Sequence, residues 1–325
     1  MRAIRVHGFG DPSVMVVEDI PAPEPGPGQV LVKVHAAGVN PAETYIRSGR
    51  YGTLPTPPYT PGSDGAGQIV GVGGGPSPWK VGDRVFFHGT AANQTGGSYA
   101  ELAVCEAHQV YRLPAHIGFS EGAALGVPYA TAYVALFDKA AAKPGEIVLV
   151  HGASGGVGTA ALQLARWKGL KVIGTAGSPD GLELVRANGA HLAVGHREAL
   201  YLDQIKAAAN NGRGPDVILE MLANENLDHD FDLAAPRGRI VVIGNRGRIE
   251  IDPRKIMSKD LTVTGVFLWA STPEQLAAVY ADIGLGLEQR ALVPVIGLEL
   301  PLAEAPRAHE VVINGRAYGK IVLVP

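Results

Sequence analysis

Residues 145–169 read GEIVLVHGASGGVGTAALQLARWKG. Pro144-Gly145 is a turn signal, and Ile147 to Val150 is a short unbroken apolar run. Such a run suits a strand buried on both faces. Gly152, Gly155, Gly156 and Gly158 follow, then Ala161, Leu162, Leu164, Ala165 and Trp167 at helical spacing, with Gly169 as the stop. The pattern is strand, glycine turn, helix. Small residues in that turn let the backbone approach a pyrophosphate, and the free N–H groups of the helix start point at the anion. The glycines follow G-x-x-G-x-x-G (Gly152, Gly155, Gly158) rather than G-x-G-x-x-G. A second apolar run, Lys171 to Thr175, follows at the distance a βαβ unit needs.

Working outward, the strand–helix alternation continues to about residue 290. Strands are expected at Ile147–Val150, Lys171–Thr175, His191–Val194, Val217–Glu220, Arg239–Ile243 and Leu261–Phe267. Six strands with intervening helices predict an α/β, doubly wound parallel sheet. Residues 1–124 read differently. Short alternating runs (Ala3–Val6, Met15–Glu18, Val30–Val34) are separated by Pro/Gly clusters such as PAPEPGPGQ, which predicts a β-rich, barrel-like domain. Pro41–Ser48 reads as one or two helical turns. Ser120 reads as an N-cap and Pro128 as the opening of a further helix. The terminal run Lys320–Val324 reads as a strand returning to the first domain. The expected division is 1–124 with 290–325, and 125–289.

The totals set limits. A chain of 325 residues with 46% hydrophobic content holds one large or two ordinary domains. The net charge of −3 offers no electrostatic case for nucleic acid or an anionic membrane. The single cysteine, Cys105, has no disulfide partner in the chain and rules out a four-cysteine zinc site. The N-terminal MRAIRVHGFG lacks an apolar signal core, and no apolar run approaches the ~20 residues that span a bilayer. A cytoplasmic protein is expected.

Five local sequences carry a family likeness: GVNPAETYIRSG (38–49), YTPGSDGAGQIVGVG (59–73), GVPYATAY (126–133), HGASGGVG (151–158) and the terminal AYGKIVLVP. Together, over essentially the whole chain, they resemble the medium-chain dehydrogenase/reductase superfamily, most closely its zeta-crystallin type of NADPH:quinone oxidoreductase. The resemblance implies a GroES-like catalytic domain beside a Rossmann nucleotide-binding domain, NADPH as cofactor, a quinone as substrate, and a homodimer or homotetramer. Reduction of α,β-unsaturated ketones is the alternative activity, and an NADPH-binding crystallin or RNA-binding protein the alternative of another class.

Zinc-dependent members of the superfamily carry a Cys after the GV pair and a GHE triplet in the glycine-rich segment. Here Asn40, Ser63 and Asp64 stand at those positions. Asn is a poor zinc ligand, and neither His191/His196 nor His108/His116 has ligand spacing on a helix face, so no metal is expected. Without zinc a substrate alkoxide lacks its electrophile, which turns the expectation towards reduction of an electrophilic acceptor.

An NAD site usually has a carboxylate at the end of its second strand. Here that strand ends Gly174-Thr175-Ala176-Gly177, which leaves room for a 2′-phosphate. The resemblance places that phosphate near Gly177 and His196, and Arg316, near the C-terminal return, is a candidate guanidinium partner. It places Tyr45 towards the nicotinamide, Ser154, Gly155, Gly156 and Val157 at the pyrophosphate, and Asn226, Ile243, Gly244, Asn245, Arg246, Val266, Phe267 and Leu268 along the walls. Asn40 and Tyr45 are candidate hydrogen-bond donors to the acceptor carbonyl or the carboxamide, Tyr51 is a candidate flat wall for an aromatic acceptor, and Thr131 a candidate for positioning the nicotinamide.

Overall fold

The computed structural model describes residues 1–89, 96–314 and 318–325. It divides into two units: Met1–Val127, Pro273–Glu288 and Pro294–Pro325 form one, Pro128–Thr272 with Gln289–Val293 the other.

The first unit opens with β1 (Arg2–Val6) and β2 (Met15–Asp19), an antiparallel pair. Its longest strand is β3 (Gln29–Val39), where Val30, Val32 and Val34 are buried and Lys33 is exposed, the period-2 pattern of a strand with one face inward. Two register shifts against β4 (Asp64–Val72) bend it. Between them lies α1 (Pro41–Arg47). Asn40 is its extended N-cap, Pro41 sits in the first turn, and the Asn40 N–H donates to Glu43 Oε2 at 2.6 Å. Next come β5 (Arg84–His88), β6 (Leu102–Glu106), β7 (Val110–Arg112) and α2 (Phe119–Ala123). Ser120 is not the N-cap expected of it. Gly118 holds that place, because Glu121 reaches back to accept its N–H at 2.6 Å. The next helix, α3 (Gly126–Tyr133), starts ahead of Pro128 and runs into a π-helical turn, Val134–Lys139.

In the second unit β8 (Ile147–Val150) leads into α4 (Gly156–Trp167). After it come β9 (Lys171–Ala176), α5 (Pro179–Ala187), β10 (Leu192–Gly195), α6 (Tyr201–Ala208), β11 (Val217–Glu220), α7 (Ala223–Leu233), β12 (Arg239–Val242), α8 (Pro253–Lys259) and β13 (Thr262–Gly265). The six strands form one parallel sheet in the order β10-β9-β8-β11-β12-β13, the doubly wound order with its reversal between β8 and β11. Every residue of the central strands β8 and β11 is buried, as their apolar runs imply. The core gathers Leu149, Ile173, Ile218, Phe231 and Ile240. The last strand is shorter than the sequence suggests: the chain leaves β13 after Gly265 and turns through a 3-10 segment that buries Leu268.

The helix α9 (Pro273–Glu288) groups with the first unit, not with the nucleotide-type sheet as the expected boundary at 289 has it. Its Tyr280 decides this. The ring is buried 4.1 Å from that of Tyr111 and 5.7 Å from that of Phe86, and its hydroxyl donates to the Gly126 carbonyl at 3.1 Å. Then β14 (Ile296–Pro301), α10 (Ala305–Asn314) and β15 (Lys320–Val324) complete the first unit. Its sheet runs β14-β15-β3-β4-β5-β7, with β6 also on β3. Its core includes Ile4, Val32, Phe87, Tyr99 and Ile321.

Candidate active site

In the second unit the sequence-nominated residues collect along the C-terminal edge of the parallel sheet, where ligands of such sheets bind. Gly152 adopts φ +55, and its N–H donates to Thr175 Oγ1 at 3.1 Å. Gly155 caps α4 in an extended conformation, so Gly156 and Val157 begin the helix with N–H groups facing outward along its axis. A Cβ on Gly158 would lie 2.5 Å from the Gly152 carbonyl oxygen, so only glycine lets the helix approach the turn this closely. This cradle fits the pyrophosphate of a dinucleotide.

A second group surrounds Gly177, just past β9. A Cβ there would stand 2.8 Å from His196 Nε2 and 3.3 Å from Arg197 Nε. The structure therefore brings Gly177, His196 and Arg197 together, although β10 and a helix separate them in sequence. Burial pushes the His196 ring below its usual value, and the Arg197 charge adds to this. Ser178 Oγ accepts the Gly181 N–H at 3.1 Å and starts α5. Arg316 lies outside the described residues.

Farther along the same edge, the Glu220 carbonyl accepts from Ile243 N at 2.8 Å and Gly244 N at 3.2 Å, and Ala223 N donates to Gly244 O at 3.0 Å. A Cβ on Gly244 would lie 2.2 Å from the Met221 carbonyl, which explains the glycine. Asn226 donates to Glu220 Oε1 at 3.2 Å. Asn245 is turned onto its own loop, donating to Gly247 O at 2.8 Å, and Arg246 N donates to Asn224 Oδ1 at 2.8 Å. Val266 N continues the β12 pairing at 3.0 Å, Phe267 is exposed and Leu268 buried. Thr131 is buried in α3.

In the first unit Asn40 is committed to its own fold. Its Nδ2 donates to Asp64 Oδ2 at 2.9 Å and Glu43 Oε1 at 3.1 Å, and its Oδ1 accepts from Lys320 Nζ at 2.5 Å. Both amide hydrogens are thus spent, which corrects the expectation that Asn40 donates to an acceptor carbonyl. Lys320 Nζ also lies 3.0 Å from Asp64 Oδ2, an ion pair with almost no exposure. Burial alone would raise the Asp64 carboxyl, but the Lys320 ammonium, His88 and Asn40 bring it down to about 2. Gly38 and Gly126 leave the room: a Cβ would stand 2.7 Å from Lys320 Cε at the first and 2.2 Å from Asp64 Oδ1 at the second.

From Glu43 a buried chain of hydrogen bonds runs on. Arg47 Nε donates to His309 Nδ1 at 3.2 Å, so that ring carries its hydrogen on Nε2, which faces the Tyr99 hydroxyl at 3.2 Å. Tyr99 in turn donates to Glu43 Oε2 at 3.0 Å. Burial, helped by Arg47, lowers His309 to about 3 and keeps it neutral. These bonds anchor both ends of α1, the helix that carries Tyr45, which is half-buried. Tyr51 follows in the loop after α1, also half-buried.

Sequence reasoning passed over Lys320, Glu220, His151 and Asp230. A signal existed for two of them. Glu220 closes the otherwise apolar strand VILE and Lys320 opens KIVLV, and charged residues in buried runs are rare unless paired.

Comparison with known proteins agrees with this architecture. Residues 26–115 match the family described as alcohol dehydrogenase GroES-like domain, and residues 156–282 that described as zinc-binding dehydrogenase. Quinone oxidoreductases of Rattus norvegicus and Homo sapiens are each 51% identical over 326 aligned positions, covering 100% of this chain and 98% of theirs. Among solved structures, an NAD-dependent alcohol dehydrogenase superposes with TM-score 0.93 at 28% identity, over 100% of both chains. The Escherichia coli quinone oxidoreductase complexed with NADPH superposes with TM-score 0.89 at 29% identity, also over 100% of both. The fold and site define a two-domain oxidoreductase of the medium-chain dehydrogenase/reductase superfamily. Within it, the chain belongs to the quinone oxidoreductase family.

Proposed function

We propose that this protein reduces quinones with NADPH and without zinc. The observation that carries the reading is the internal ion pair of Lys320 with Asp64. The residues where zinc-dependent relatives of this superfamily hold metal are here Asn40, Ser63 and Asp64, and a fixed ammonium neutralises the one carboxylate among them. A divalent cation would meet Lys320 at bonding range of both oxygens, so the donor set does not fit zinc. The side chains nearest a Cβ at Gly177 are His196 and Arg197 rather than a carboxylate that would claim a ribose 2′-OH. Both can donate to a phosphate, which supports the reading of NADPH. The Escherichia coli quinone oxidoreductase forms its complex with the same cofactor.

When bound, the nicotinamide supplies the hydride. The chain's own residues bind and orient. The glycine turn and the start of α4 hold the pyrophosphate. The hydroxyl of Tyr45, presented by the anchored helix α1, donates to the acceptor oxygen, and Tyr51 offers a flat wall. A quinone accepts hydride readily and leaves a stabilised phenolate, so a neutral donor suffices. An alcohol must lose a proton from a weakly acidic carbinol, and none of the candidate site residues answers that need.

The test is a comparison of quinone, enone and simple alcohol panels with NADP(H) under one set of conditions. Turnover of ortho- or para-quinones with negligible alcohol oxidation is expected. Tyr45→Phe should slow turnover about tenfold, the equivalent of about 1.4 kcal/mol, without abolishing it. Alcohol oxidation by metal-free protein would refute the mechanism, and activity confined to enones would move the substrate class while keeping the cofactor.

The reading includes a cytoplasmic setting and a homodimer or homotetramer. Among the described residues β13 is the outer strand of its sheet, with Val263, Phe267 and Trp269 exposed beside it. An apolar strand edge left open invites further pairing. No helix among the described residues is long and apolar enough to cross a membrane. Light scattering at micromolar concentration should give at least a dimer, and a stable monomer would contradict the assignment.

A further inference from the structure

Behind the nucleotide edge lies a buried cluster that the roles above leave unused. His151 follows β8, Glu220 ends β11 and Asp230 sits in α7. His151 Nε2 is 2.9 Å from Asp230 Oδ1 and 3.6 Å from Glu220 Oε2, and the side chains are 5%, 0% and 0% exposed. Glu220 Oε1 is held by Asn226 Nδ2 at 3.2 Å and by a very short bond from the Leu222 N–H. The remaining oxygens, Glu220 Oε2 and Asp230 Oδ2, are buried and accept no hydrogen bond from any donor among the described residues. A proton carried by one carboxyl and shared with the other would satisfy both, and it would leave the cluster neutral when His151 is protonated.

We propose that His151, Glu220 and Asp230 are positioning residues for the cofactor: a proton-sharing cluster that ties the loop after β8, the loop after β11 and helix α7 together and makes nucleotide binding weaken as pH rises. The inference rests on the reading that this edge binds the dinucleotide. The ties are direct. His151 is the first residue of the glycine turn, and its N–H donates to the Leu219 carbonyl at 3.1 Å. The Glu220 side chain holds Asn226, while its carbonyl holds Ile243 and Gly244.

The charges work in one direction. Burial is the largest influence on Glu220 and raises it; His151 opposes, Asp230 adds, and the net position is about 7. For His151, burial lowers and the two carboxylates more than restore it, so it too is raised. The groups facing the cluster from neighbouring elements are His196, after β10, and Tyr201 of α6. Burial lowers His196 and raises Tyr201, so both shifts favour the neutral form. Loss of the shared proton therefore places an uncompensated negative charge behind a site for a polyanion.

The test is fluorescence titration of the full protein with NADPH and with NADH between pH 6 and 9, using wild type and Glu220→Gln. Gln keeps the acceptor for Leu222 and Asn226 and cannot ionise. Wild-type Kd should rise about tenfold across neutrality for both cofactors, which separates the effect from titration of the 2′-phosphate, and the rise should be clearly smaller in the variant, where only His151 of the cluster still loses its charge. Parallel profiles in the two proteins would overturn the proposal. Failure of wild type to bind either cofactor would instead overturn the underlying reading. Thermal unfolding gives a second readout. A folded-state Glu raised above its unfolded value contributes stability below about pH 4.5 that is lost as pH rises to about 7. That slope should be missing in Glu220→Gln. Elemental analysis showing a divalent cation retained by wild type and lost by Glu220→Gln would also overturn the shared proton.

Discussion

Lys320→Met is expected to destabilise the protein by about 3–5 kcal/mol, the usual cost of removing one partner of a buried ion pair. Lys320 and Asp64 are both buried, and the ammonium bridges Asp64 to Asn40. Removing the cation leaves Asp64 without its counter-charge, and burial then drives the carboxyl upward. The pH dependence should shift in a defined direction. In the wild type Asp64 is depressed to about 2, so its contribution is present above its ordinary value of 3.8 and is lost only as pH falls through about 2. In Lys320→Met the loss should begin at much higher pH. Urea unfolding measures the effect, and Lys320→Met/Asp64→Asn should recover a large part of it. A single variant within about 1 kcal/mol of wild type would show the pair to be dispensable. Elemental analysis of the wild type should find no stoichiometric zinc; one tightly held zinc per chain would overturn the metal-free reading.

Gly177→Asp should weaken NADPH binding about a hundredfold, roughly 2.7 kcal/mol, and leave NADH affinity level or improved. Gly177 has no left-handed backbone requirement, and the atoms nearest a new Cβ are the ends of two side chains, His196 and Arg197, which can give way. The carboxylate would then act twice. It would repel a 2′-phosphate, and it would draw the Arg197 guanidinium into a salt bridge. The same carboxylate suits the free 2′-hydroxyl of NADH. Paired titrations of both cofactors on both proteins decide the matter. An NADPH Kd within threefold of wild type in the variant would remove the 2′-phosphate from this corner of the sheet.

Much of the nucleotide unit was legible in residues 145–169 and the runs that follow. Ile147–Val150 coincides with its apolar run, and Val217–Glu220 extends its run by the one residue Glu220, because a strand buried on both faces needs continuous apolar residues and tolerates a charge only where it is paired. Glycines 152, 155 and 158 were readable as a phosphate turn, since steric need and sequence coincide there. Helix starts were less so. Ser120 looked like a cap, yet Gly118 serves, because Glu121 supplies the reciprocal bond and a cap depends on geometry as much as on residue type.

The sequence by itself determined the doubly wound sheet, its glycine turn and the missing carboxylate at the end of β9, all of which depend on local spacing and residue size. Only the tertiary structure decided what the polar residues do. Asn40, Asp64 and Lys320 are separated by 24 and 256 residues across their contacts, and meet because β15 pairs with β3 and β3 with β4. His151, Glu220 and Asp230 meet because β8 and β11 are neighbours at the reversal of the sheet, with α7 returning beside them. A buried charge is tolerated only beside its partner, and strand pairing, which no local window contains, is what brings the partners within bonding distance.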